Sequence, residues 1–115
     1  KHLPCVGRTH GIHAAPMTLR LKFLNRHAEL ERDLERIDLA ISQIAYGKIS
    51  GAVGTYALCP PEIEARVCEL LNLTPAPISN QILQRDRHAQ VMNVVALLGC
   101  GFERMATEIR HLQRT

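Results

Sequence analysis

The chain has 115 residues, 46% apolar but only 3% aromatic and without Trp, so Leu, Ile, Val, Ala and Met must fill the core of about one domain, which favours packed helices over a sheet sandwich. A net charge of +3 is spread along the sequence with no Lys/Arg run interleaved with aromatics, which argues against nucleic acid as a partner. No stretch has the pattern of a signal peptide, and the longest apolar run is interrupted at Asn93 and Gly99, so a cytoplasmic chain with no membrane partner is expected, its four cysteines reduced.

The first informative segment is GRTHGIHA, Gly7 to Ala14. It sets imidazoles beside a hydroxyl, a guanidinium and two glycines that let the backbone bend sharply. Histidine titrates near neutrality, so His10 or His13 can deliver a proton at physiological pH. Their three-residue spacing would place both on one side of a helix. No CxxC pair occurs and no carboxylate follows at ligand spacing, so no metal is expected.

From Met17 through Leu21, Leu24, Ala28, Ile37, Ile41 and Ile44 the apolar residues keep helical step, which predicts a long helix from about Pro16 to Ala45. Its charged pairs, such as Asp33 with Arg36, are expected to be solvated neighbours. GKISGAVGTYALCPP, from Gly47 to Pro61, reads as a loop or short hairpin. Pro61 to Leu71 is predicted as a short helix and Thr74 to Pro77 as a turn. A last helix is expected to begin near Ser79 or Asn80, either of which can cap it. From Val91 to Phe102 that helix is apolar nearly all round, which predicts burial against helices of other subunits or inside one larger bundle. The chain starts at Lys1 without Met and ends at Thr115 without a stop signal, so a piece of a longer protein is expected.

Three separated segments, GRTHGIHAAPMT, GKISGAVGTYA and SNQILQRDRHA, together with the closing IRHLQRT, resemble the adenylosuccinate lyase family of the fumarase and aspartase superfamily in order and spacing. The resemblance covers essentially the whole chain. It implies an all-α fold, a long-helix bundle piece with a Gly-rich loop or short hairpin between helices. Residues 1–115 would form part of a central helical domain with no internal boundary. It also implies a lyase of purine nucleotide biosynthesis that removes fumarate from adenylosuccinate, to give AMP, and from succinyl-aminoimidazole carboxamide ribotide. The small-molecule substrate is then a succinylated purine nucleotide, no cofactor is needed, and active sites are shared within a homotetramer.

By position, His10 is similar to the family's general acid, which protonates the departing nitrogen, and Thr9 would bind the succinyl carboxylates. Arg8 would hold local structure or the substrate's charge, and Gln81 matches the substrate-binding glutamine. Ser79 would add donors where a helix N-terminus suits an anion. Lys48 is a further candidate for a carboxylate, with a solvated lysine equally compatible. Arg85, Asp86, Arg87 and His88 read as an ion-paired helix turn. His13 supports His10, while His2, His27 and His111 are ordinary. Ala15, Met17 and Arg20 depart from the family pattern at the helix entry. The family's general base lies on a loop beyond Thr115, and another histidine and the phosphate-binding residues lie before Lys1, so these 115 residues alone are expected to be inactive. The alternatives are another fumarate-releasing superfamily lyase, a non-catalytic helical oligomerisation module, and, third, a metal-dependent hydrolase built on His10 and His13.

Overall fold

The computed structural model describes residues 2–113. Its first turn is set by His10 and Gly11, with φ of 54° and 75°, the sign that a two-residue type I′ reversal requires at both central positions. Around it β1 (Pro4–Thr9) and β2 (Ile12–Thr18) pair antiparallel, from Pro4 opposite Thr18 to Thr9 opposite Ile12. The register shifts between Gly7 and Arg8, leaving Ala14 as an extra residue on β2. The Leu19 amide donates to the Leu3 carbonyl at 3.0 Å and extends this ladder.

The helix α1 therefore starts at Leu19 and runs to Ile44, three residues later than the periodicity predicts. Pro16, which has no N–H to give a helix, faces Val6 in a two-stranded ribbon instead. The second helix, α2 (Pro61–Leu70), lies where it is expected, with Pro61 in its first turn beside Glu62 and Glu64. At its end the Leu73 amide donates to the Cys68 carbonyl at 2.8 Å, with Asn72 at a φ of 55°. The third helix, α3, spans Asp86–Leu112 and starts several residues after Ser79 and Asn80. Short β3 (Tyr46–Gly47) and β4 (Thr74–Pro75) pair in parallel. The chain is thus mostly helical, as expected, but not helical throughout, since it also carries two small two-stranded sheets.

The described residues group into two compact units. One takes in the residues up to Glu35 and those from Leu97 onward. In it the hairpin leads into the first part of α1, and Lys22 and Glu108 pair at 2.5 Å. Glu29 pairs with Arg26 at 3.3 Å and also with Arg104. Asp33 is buried rather than solvated. The other unit, Arg36–Ala96, contains all of the buried apolar side chains among the described residues: Ala40, Cys68, Ala76 and Val94. Here an added Cβ on Gly47 would lie 2.6 Å from Cys68 Sγ, so glycine is what allows β3 to approach α2. Arg87 donates to the Gln43 carbonyl at 2.9 Å and lies 3.6 Å from the Tyr46 ring centre, closing the end of α1 with a cation.

Candidate active site

In the first unit the site residues lie on the hairpin. Thr9 ends β1, His10 occupies the turn, and Arg8 stands opposite His13. The two imidazoles do not share a helix face as their spacing suggested, because His10 and Gly11 spend the intervening residues on a reversal. All four side chains are exposed. His10 is thereby presented at a tip whose backbone is fixed by strands on both sides. Gly7, further down the ribbon, closes against the Ala15 carbonyl and Met17, at 3.2 and 3.3 Å from the position a Cβ would take.

In the second unit the glycine-rich segment is a loop without strands after Gly47. Lys48 Nζ donates to the Gly51 carbonyl at 2.5 Å, so its ammonium holds the loop and retains two further protons to donate. Ser50 is 2% exposed and its hydroxyl lies 2.9 Å from that of Ser79. Gly54, with φ of 78°, passes so close to the Ser79 carbonyl that a Cβ there would overlap it. Ser79 is therefore buried against the loop, and it precedes α3 by several residues rather than opening it. The donors expected from a helix N-terminus at Ser79 are not there. Ser79 and the Asn80 backbone lie against the glycine loop at Gly54, α3 begins only at Asp86, and Gln81 between them is exposed.

Glu64, which sequence reasoning passed over, organises this unit. It is 1% exposed on α2. Its carboxylate accepts hydrogen bonds from the Ile49 amide and from the Tyr56 hydroxyl, the latter at 2.6 Å. That bond is the main cause of a raised Tyr56 pKa, with desolvation and the Glu64 charge adding to it. One signal was available: Glu64 lies three and four residues before Val67 and Cys68, on the apolar face of a short helix where a carboxylate needs donors. In the first unit the Glu108 pKa is lowered, chiefly by its hydrogen bond from Lys22. In the expected ion-paired turn RDRH, Arg87 instead serves Tyr46 and Gln43, and among the described residues His88 Nδ1 is buried without a hydrogen bond.

Among the described residues no cluster of three His, Cys, Asp or Glu side chains could hold a metal ion, and no helix is long and apolar enough to cross a membrane. The hairpin offers an exposed acid–base group beside a hydroxyl and a guanidinium. The second unit offers an amide, hydroxyls and an ammonium.

The chain is similar over all 115 residues to the adenylosuccinate lyases of Thermotoga maritima (50% identical, 27% of that protein covered) and Deinococcus radiodurans (55%, 26% covered). It is 52% identical to that of Bacillus subtilis, again over its full length and 27% of the relative. The chain thus spans about a quarter of the length of the curated relatives it matches. Among solved structures, β-carboxy-cis,cis-muconate cycloisomerase from Acinetobacter calcoaceticus superposes with a TM-score of 0.84 over 97% of this chain and 26% of that one. At 24% identity it shares the fold. The Lyase family pattern matches residues 1–115 from end to end, and the chain belongs to that family.

Proposed function

We propose that this chain works as part of an adenylosuccinate lyase of purine nucleotide biosynthesis. The protein would release fumarate from adenylosuccinate, to give AMP, and from succinyl-aminoimidazole carboxamide ribotide. The observation that carries the reading is the identity of 50–55% to adenylosuccinate lyases across all 115 residues, which takes in the hairpin, the glycine loop and the segment bearing Gln81.

The reaction is a β-elimination across a C–N bond. A base takes the proton next to a carboxylate while an acid protonates the departing nitrogen, a poor leaving group otherwise. His10 is the acid. Its place at a two-residue turn lets the imidazole reach outward from a backbone held on both sides. Thr9 donates to a succinyl carboxylate, and Arg8 supplies positive charge to the anionic substrate or braces the hairpin. Gln81, whose amide both donates and accepts, binds the substrate. Ser79 sets the height of that segment through Ser50, and Lys48 offers its remaining donors to a carboxylate. Charge that builds on the carboxylate during proton removal is stabilised by such fixed donors. The base comes from outside these residues, so the 115-residue chain alone is inactive.

The enzyme is a cytoplasmic homotetramer with shared active sites, built on a bundle of long helices to which α1 and α3 contribute. The exposed Met92, Val95 and Phe102 of α3 support this, since such a face needs a partner. The same face supports a second reading, a non-catalytic oligomerisation module.

The deciding experiment is fumarate release from adenylosuccinate by the full-length protein and its His10→Asn variant. The lyase reading expects turnover by the wild type and a kcat lower by about 10²- to 10⁴-fold in the variant, the usual size of a general-acid contribution. Unchanged turnover in the variant would favour the module.

A further inference from the structure

Glu64 is a buried carboxylate for which the proposed chemistry has no direct use. A charge in that position persists only where donors face it. The two that do are the Ile49 amide and the Tyr56 hydroxyl, at opposite ends of the loop 49–56. The loop is also closed on itself, since the Tyr56 amide donates to the Ser50 carbonyl at 3.0 Å. It then meets the next segment through the Ser50 hydroxyl, 2.9 Å from that of Ser79, and through the backbone of Gly54 beneath the Ser79 carbonyl. Gln81 follows two residues later.

We infer that Glu64 is a positioning residue for the substrate-binding stretch 79–81: from the rigid helix α2 it clamps both ends of the glycine loop, and the loop in turn holds Ser79 and hence Gln81. The kinetic half of this inference rests on the lyase reading. A carboxylate that only stabilised the fold would leave substrate affinity untouched once the protein had folded. A positioning carboxylate moves KM, because Gln81 contacts substrate in both the ground and transition states.

The test uses the full-length enzyme. Glu64→Leu removes both acceptors while keeping bulk. Glu64→Gln keeps an oxygen for the Ile49 amide and turns its own amide toward the Tyr56 oxygen, which can accept. Glu64→Leu is expected to raise KM for adenylosuccinate about tenfold with kcat changed less than about threefold, and Glu64→Gln to restore KM to within about threefold of wild type. Amide exchange in residues 49–56 and 79–81 is expected to accelerate together in Glu64→Leu and to stay near wild type in Glu64→Gln. Should Glu64→Leu not fold, Tyr56→Phe replaces it, with KM up about threefold and the same paired acceleration expected from the loss of one hydrogen bond. Unchanged KM, or exchange that quickens in 49–56 and not in 79–81, would overturn the positioning role. If the wild type releases no fumarate, the lyase reading fails by itself, and exchange at 79–81 still decides the role of Glu64.

Discussion

His10 adopts a backbone conformation that only a few per cent of non-glycine residues accept. Asparagine tolerates that conformation better than alanine does, which is why His10→Asn separates the turn from the proposed chemistry: the turn is kept and the proposed proton donor is lost. A fall in kcat with an unchanged melting temperature is the expected signature. A melting temperature that drops in step with kcat would instead assign His10 to the hairpin. Gly54 answers a similar question for the second unit. Gly54→Ala places a Cβ at positive φ and against the Ser79 carbonyl. The conformation alone costs about 1–2 kcal/mol, and the overlap adds to it by pushing Ser79 away. Urea unfolding of the full-length protein should show at least that loss, and KM should rise with it. A variant as stable as wild type would mean that the loop is free to yield at this point.

At the level of elements, legibility followed periodicity. Helices α1 and α3 repeat apolar residues over many turns, and α2 begins at a proline that suits its first turn, so all three were readable. The hairpin was not. Its strands carry no clean alternation, and the deciding feature is the sign of φ at His10 and Gly11, which a His-Gly pair signals far more weakly than Asn-Gly does. The start of α3 was misplaced because Ser79 and Asn80 are good caps locally; a distant hydroxyl on Ser50 and the backbone of Gly54 hold that stretch instead. The candidate site divides the same way: His10, Thr9 and Gln81 stand in recognisable motifs, while Glu64 acts through bonds across 8 and 15 residues. Its link to Tyr56 gives a pH prediction. The hydrogen bond favours the protonated phenol, with lesser contributions from Cys68 and Cys59, so the Tyr56 pKa is raised in the folded state. The unfolded chain therefore releases this proton first. The resulting stabilisation is complete below the ordinary tyrosine value of 10.0 and is lost as pH rises through the higher folded one. Denaturation midpoints measured across that alkaline range should fall more steeply in wild type than in Tyr56→Phe. Parallel curves would show that the bond does not survive in solution.

For the whole molecule the deciding observation is where apolar surface remains. The buried apolar side chains of the described residues are few and small, whereas Met92, Val95, Phe102 and Ile109 of α3 are exposed, the first at 66%. Steps of three and seven residues put these four on one helix face. A fully buried side chain of this size contributes about 1.5–3 kcal/mol, so a face of four, met by its symmetry mates, can hold a permanent assembly. A charge placed in the middle of that face would have to be desolvated without a partner, which costs more than the apolar contact returns. The double variant Val95→Asp, Phe102→Asp is therefore expected to dissociate the proposed homotetramer of the full-length protein, read by sedimentation velocity. On the proposed reading, in which active sites are shared between subunits, fumarate release should disappear with the assembly although both substitutions lie outside the hairpin and the glycine loop. The coupling of the two losses is the informative part. Dissociated protein that still turns over substrate would place a complete site within one subunit, and a variant that sediments as wild type would assign this face of α3 to contacts inside a single chain.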